Sequence, residues 1–210
     1  MQRFNKPLAK RTFAHTWFLY PIAVLLSVGI WVLAFEAFHI PTDYEKISLF
    51  FGADIHDLSF TERLQEKYDV EKVRAIDAFG EHPASPGYYT KLNIYLNNTD
   101  LLILPEKTLD EFDAENGIHL FFAEIDDKTM ETYGVSDYEP YLSEEKTYGL
   151  KLKEAGKDCW LSPYMGFDEE QDYYLTLSVT SKNLGALSEE GNENNDNGLT
   201  MMSHLLGGIA

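Results

Sequence analysis

Cysteine is nearly missing from this sequence: Cys159 is the only one in 210 residues. An intramolecular disulfide is therefore excluded, and so are zinc and redox sites built on CxxC pairs. A lipoprotein anchor would need a cysteine directly after an apolar leader, and none stands there. We therefore expect an apolar core to stabilise the domain without covalent cross-links.

Basic side chains are also scarce. The chain has 17 Lys and Arg against 35 Asp and Glu, which gives a formal net charge of −18. Residues 1–35 carry four basic side chains and no acid, so residues 36–210 carry −22. Because so acidic a domain is repelled by phosphate backbones, we expect no nucleic-acid partner.

The motifs of common catalytic sites are missing too. There is no phosphate-binding loop, no GxSxG and no HExxH, and the six histidines show no metal-ligand spacing. The acid pairs Asp126-Asp127 and Asp168–Glu170 could host glycosidase chemistry, but such pairs are expected by chance among 35 acids. A calcium loop starting at Glu193 would need a bidentate glutamate where His204 stands. The sequence predicts a protein that is not an enzyme and that binds no metal and no cofactor.

One long apolar run is present, from Trp17 to Phe35. Nineteen residues of helix span roughly 28 Å, close to the thickness of a bilayer core. Basic residues precede the run and acidic residues follow it, so the positive-inside rule places the N-terminus in the cytoplasm. We predict a cytoplasmic segment over 1–16, a single-pass transmembrane anchor over 17–35 in the cell membrane, and an extracytoplasmic remainder. The alternative is a cleaved signal peptide, whose apolar region is usually 7–15 residues long.

After a linker over 36–45, residues 46–210 alternate between short apolar runs and amphipathic stretches. Ser59 to Glu62 has the pattern of a capping box, and Ser85-Pro86 that of a helix start. The patterns predict strands over 47–51, 70–79, 101–104, 148–153 and 173–180, helices over 59–68, 85–98, 106–115 and 199–206, and a flexible polar loop over 184–198. Residues 118–125 are apolar and fit either a strand or a helix. This order predicts an α/β domain with a mostly parallel sheet, strand 47–51 in its middle and helices on both faces.

The same order of elements resembles the extracellular solute-binding proteins of bacterial ABC importers, which have two α/β lobes. The resemblance lies in the helix ending at Tyr68, in Tyr88-Tyr-Thr-Lys-Leu92, in Asp100-Leu-Leu-Ile-Leu-Pro-Glu106 and in the strand leading to Ser181-Lys182. Family members usually have about twice this length, so the resemblance implies one lobe. It also implies a solute such as a sugar, and a membrane permease or another membrane protein as partner.

Aromatic residues are the candidates for ligand contact, because sugar faces stack on aromatic rings. Phe79 with His82, and Trp160 with Tyr164, stand in predicted loops, although packing in the core is the alternative for such rings. Ligands of open parallel sheets lie beyond the carboxyl ends of the strands, which favours the loops after Phe51, Phe79 and Leu104. We therefore expect a membrane-anchored solute-binding-like protein that serves a transporter or a sensor. The alternative is an accessory or structural protein-interaction domain that has lost small-molecule binding.

Overall fold

The computed structural model describes residues 17, 19–39, 41–68, 72–188, 190–191 and 194–208. The chain divides into two compact units, with the boundary between residues 40 and 41. The predicted segment 1–16 lies outside the described residues.

The first unit contains helix α1, Leu19–His39, which has 21 residues. Its side chains are described from Leu19 to Phe35, and all of them are exposed except the half-buried Ala34. A search of the described residues found no helix that is both long enough and apolar enough to cross a membrane.

The second unit is an α/β domain, as the sequence predicts. Its elements in chain order are β1 (Lys46–Phe51), β2 (Asp54–Ile55), α2 (Ser59–Gln65), β3 (Ala75–Gly80), α3 (Tyr88–Leu96), β4 (Leu101–Pro105), α4 (Glu106–Asn116), α5 (Asp127–Thr132), β5 (Pro140–Ser143), β6 (Lys146–Lys153), β7 (Met165–Gly166), β8 (Tyr173–Leu177) and α6 (Asn197–Gly207). Two 3₁₀ turns, Ile118–Leu120 and Gly185–Leu187, lie between them. Residues 118–125 thus form no regular strand, although Phe122 makes an isolated bridge to Ser178.

Six of the strands form one sheet in the order β3-β1-β4-β8-β6-β5. Strand β1 pairs in parallel with β3 on one side and with β4 on the other, so the predicted position of β1 between its neighbours is confirmed. The sheet is mixed, however, because β8, β6 and β5 are joined by antiparallel pairing. Strands β2 and β7 form a separate antiparallel pair.

Helices cover both faces of the sheet. On one face, Phe60 and Leu64 of α2 and the methionines of α6 pack against alternate strand residues such as Leu49. On the other face, Leu92 of α3 and Phe112 of α4 pack around Phe50 and its neighbours. All five residues of β4 are buried. The apolar runs at 47–51 and 101–104 are therefore explained by burial on both sides.

Several predicted boundaries need correction. Strand β3 begins at Ala75, and the predicted start at Val70 lies outside the described residues. Helix α2 is not closed by a capping box, because the carboxylate of Asp57 accepts from both the N–H and the hydroxyl of Ser59. Helix α3 starts after Gly87, whose φ of 90° suits glycine. The predicted loop over 184–198 contains the buried side chains of Ser188 and Asn195.

The carboxylate of Asp100, directly before β4, is buried with 7% of the residue exposed. One oxygen accepts from the N–H of Ser48 at 2.8 Å. The other accepts from the hydroxyl of Ser181 at 2.5 Å and from the side-chain amide of Asn183 at 2.9 Å. This carboxylate therefore joins β1, β4 and the chain after β8 at the amino end of the parallel strands.

Asn183 and Asn195 extend this network. The Asn183 amide also donates to the carbonyl of Lys46 at 2.9 Å, and its oxygen accepts from the amide of Asn195 at 2.7 Å. A polar segment predicted as a loop is thus held in place because it supplies hydrogen bonds to a buried carboxylate and its partners.

We predict that Asp100→Asn destabilises the protein by about 2–3 kcal/mol, because the new NH₂ group would face N–H or O–H donors that now meet a carboxylate. Urea unfolding of the full chain, followed by tryptophan fluorescence, measures this change. Asp77→Asn is the matched control: Asp77 makes an ion pair with Lys46 at the surface, so its loss should cost less than about 1 kcal/mol. Equal costs for the two variants would contradict a special role for Asp100.

The stability difference between wild type and Asp100→Asn should also depend on pH. Burial raises the pKa of Asp100, against the opposing effect of its hydrogen bonds. A carboxyl whose pKa is raised by folding favours the folded state increasingly as the pH falls through that raised pKa. The difference should therefore grow on acidification from pH 7 towards the ordinary Asp value of 3.8, and a difference that shrinks would show a lowered pKa instead.

Candidate functional site

A depression of about 410 Å³ lies at the amino ends of the parallel strands. The ammonium groups of Lys46 and Lys182 line it, and each already pairs with a carboxylate, at 2.5 Å to Asp77 and 2.6 Å to Asp43. Asp100 lies at its floor with its hydrogen bonds made. The groove is therefore polar and large, but both of its lysines and the carboxylate of Asp100 already have partners.

A smaller depression of about 180 Å³ lies at the opposite, carboxyl end of these strands. We call it the carboxyl-end pocket. It is lined by His82, Pro83, Ala84, Tyr89, Pro105, Lys107, Thr108, Asp168, Gln171 and Tyr173. Ligands of open α/β sheets bind at this end, because the loops after the strands diverge there and leave a crevice. We regard this pocket as the candidate site, although the amino-end groove is larger.

The antiparallel strand β8 brings residues distant in sequence to this pocket. Tyr173 at the start of β8 pairs with Pro105 at the end of β4, and the N–H of Glu106 donates to the carbonyl of Asp172 at 2.9 Å. The loop before β8 thus lies over the first turn of α4. The buried Lys153 supports this loop, since its ammonium group lies 3.3 Å from the carbonyl oxygen of Asp168.

Gln171 carries the least satisfied polar group of this pocket. Its side-chain oxygen is buried and has no hydrogen-bond partner among the described residues. Its amide nitrogen donates to the carboxylate of Asp168 at 3.4 Å, which fixes the direction of the side chain. Because a buried acceptor without a donor costs free energy, this oxygen has the chemistry expected of a group that meets a ligand donor.

Other polar groups line the same pocket. The buried hydroxyl of Thr108 lies 3.4 Å from that of Tyr88, and the hydroxyl of Tyr173 accepts from the N–H of Asp168 at 3.0 Å. Burial raises the pKa of both tyrosines, so both hydroxyls stay protonated at neutral pH. The Nδ1 of His82 accepts from the N–H of Ala84 at 3.1 Å, which places the proton of a neutral ring on Nε2. The pocket therefore combines hydroxyl, amide and imidazole groups around a small volume.

Of the four candidate residues from the sequence, only His82 lines this pocket. Phe79 lies on β3, outside the pocket, and its ring stacks on Tyr95 at 4.9 Å between centroids. Tyr95 in turn stacks on Phe50 at 4.9 Å. Phe79 thus belongs to a stack of three rings at the edge of the core.

Trp160 and Tyr164 also serve packing. The indole N–H of Trp160 donates to the carbonyl of Leu205 at 2.7 Å, which ties the loop before β7 to α6. The ring of Tyr164 lies 5.9 Å from that of Phe60 and 5.7 Å from the Arg63 guanidinium carbon. These two residues are half-buried against the core, as the packing alternative expects, and their role in ligand contact stays a prediction.

Thr108, Gln171 and Tyr173 were missed as site residues. The carboxyl-end rule points to the loop after Leu104 and would have found Thr108. No local pattern singles out Gln171 or Tyr173, because their position follows from the antiparallel pairing of β8 with β4.

Comparison of the chain with protein-family models, with curated proteins and with solved structures gave no match. Among the described residues, no three His, Cys, Asp or Glu side chains group closely enough to hold a metal ion.

We predict that Gln171→Leu leaves the stability unchanged or raises it by up to about 1 kcal/mol, because it removes a buried acceptor that has no donor. Gln65→Leu is the matched control, since the amide of this second half-buried glutamine donates to the carbonyl of Val73. Its loss should cost about 1 kcal/mol. Urea unfolding of both full-length variants tests this, and a larger loss for Gln171→Leu would show that its oxygen is satisfied in the free protein.

Proposed function

We propose that the chain is a membrane-anchored, extracytoplasmic binding module that resembles one lobe of an ABC-importer solute-binding protein and serves a transporter or a sensor. The observation that carries the proposal is the carboxyl-end pocket with the unpartnered, buried oxygen of Gln171. The position of β1 between β3 and β4, with β8 antiparallel beside β4, supports the resemblance.

The pocket limits the size and the chemistry of the solute. About 180 Å³ holds a small polar molecule and not a long oligomer. A hydrogen-bond donor on the solute would satisfy Gln171, and Thr108 would contact its neighbouring polar groups. A monosaccharide or a free amino acid meets these requirements.

The anchor proposal rests on the sequence and on the exposure of α1. Apolar side chains project on all sides of this helix, among them Leu25 at 71% and Trp31 at 67% exposure. Such exposure is costly in water and favourable in lipid. The basic residues before the helix and the acidic domain after it give the orientation.

The orientation predicts a protection pattern. A protease added outside intact bacterial cells should digest the chain after residue 40 and spare the anchor, because only the domain would be accessible. Detection of tags at the two ends by immunoblot measures this, with permeabilised cells as the control. Protection of the whole chain in intact cells would contradict the proposed orientation.

Solute binding should be weak. A typical pocket covers 70–90% of its ligand, whereas one lobe covers far less. Halving the contacts of a micromolar site, which is worth about −8 kcal/mol, leaves about −4 kcal/mol and hence a Kd of roughly 1 mM.

Calorimetry of the full chain in detergent, with a panel of monosaccharides and amino acids, tests this prediction. Gln171→Leu should lose the binding and Gln65→Leu should keep it. Micromolar binding would show a complete pocket and contradict the one-lobe interpretation. The absence of any binding would favour the accessory protein-interaction domain.

A further inference from the structure

The six-stranded sheet ends in two edge strands, β3 and β5. An edge strand presents unpaired N–H and C=O groups to which another strand can add, and proteins usually protect such edges. Strand β5 is protected: it has four residues, starts with Pro140 and has a register shift between Tyr141 and Leu142. The sheet is therefore protected against strand addition at β5.

Strand β3 has none of these protections. It has six residues without proline, and its register with β1 is unbroken from Ala75 to Gly80. The N–H groups of Ala75 and Glu81 donate towards β1. Because successive residues of a strand alternate, the N–H and C=O groups of Ile76 and Ala78 point away from β1. Within the described ranges, these outward groups have no hydrogen-bond partner.

The net charge along this edge differs from that of the acidic domain around it. Three carboxylates lie along it, and each pairs with a cation: Glu45 with Arg74, Asp77 with Lys46, and Glu81 with Lys91. Because Arg74 and Glu81 are already paired, an approaching strand meets a nearly neutral strip.

We propose that a second copy of this chain adds to this edge, with the two β3 strands antiparallel about a two-fold axis at Ala78. In this register Ile76 faces Gly80 of the partner subunit, and the outward N–H and C=O groups of both strands pair with each other. Because the carboxylates along this edge are paired, two copies of the strip do not repel each other as other surfaces of the acidic domain would.

The number of open edges also favours a second copy. Two-fold pairing uses both β3 edges and leaves only the protected β5 edges outside, so the assembly ends at two chains. The pairing would also cover part of the groove beside β3, which Phe79 and Leu58 line, the latter 54% exposed. This inference is independent of solute binding in the carboxyl-end pocket.

Cross-linking tests the pairing directly. In this register the two copies of residue 77 are diagonal neighbours on one face, about 7–8 Å apart, within reach of a short bismaleimide. The test uses full chains in detergent with Cys159→Ser, which leaves one thiol after Asp77→Cys. This variant should form a covalent dimer. Leu142→Cys, exposed at the β5 edge, should not form one. Equal cross-linking of both variants, or of neither, would overturn the proposal.

A backbone variant provides the second test. Ala78→Pro removes an outward N–H and leaves the bonds to β1 in place, so the fold should survive while the dimer weakens at least tenfold in sedimentation velocity. Ala78→Val keeps the N–H and should still dimerise. Circular dichroism checks the fold of both variants. A wild-type chain that stays monomeric would overturn the proposal, and the edge would then be a candidate site for a different polypeptide. An Ala78→Pro variant that dimerises like wild type would also overturn it.

Discussion

The buried carboxylate of Asp100 is the contact on which the register of the central sheet depends. It accepts hydrogen bonds from Ser48 at the start of β1 and from Ser181 and Asn183 after β8, while its own chain continues into β4. The three neighbouring strands are thereby fixed relative to each other at one end. A slip of one residue would exchange the two faces of β4, which both lie in the core.

This fixed register has its effect at the other end of the strands. Strand β4 has five residues, Leu101–Pro105, and its last residue pairs with Tyr173. The position of Gln171 relative to Thr108 therefore depends on hydrogen bonds made on the far side of the sheet. Gly52 contributes a second constraint, since a Cβ there would lie 2.8 Å from Pro105. Small shifts between strands would change the shape of the pocket.

The parallel half of the fold could be predicted because its strands are short and continuously apolar. Strands 47–51 and 101–104 need cover on both faces, and the helical patterns between them supply that cover. The antiparallel direction of β8 could not be predicted, because alternation along a strand gives no information about its partner. The polar tract after Gly185 has the composition of a flexible loop. Composition does not reveal that the Asn195 amide donates to the carbonyl of Tyr44, which is distant in sequence.

The candidate site could be predicted only in part. The carboxyl-end rule indicates the loop after Phe79, where His82 lies. Trp160 and Tyr164 are candidates through their ring chemistry and are half-buried against the core. Aromatic residues are numerous here because large rings fill the two thin layers between sheet and helices, as in the stack of Phe50, Tyr95 and Phe79. An aromatic surplus in a small α/β domain therefore indicates packing before it indicates a ligand.

The open edge and the carboxyl-end pocket are neighbours in the fold, because His82 follows β3 directly. In the proposed antiparallel register, Arg74 of the partner subunit stands opposite His82. A guanidinium group would then lie at the rim of a pocket that one lobe leaves open on one side. In two-lobed binding proteins a second lobe closes over the solute, and here a second copy would approach the rim from the edge of the sheet.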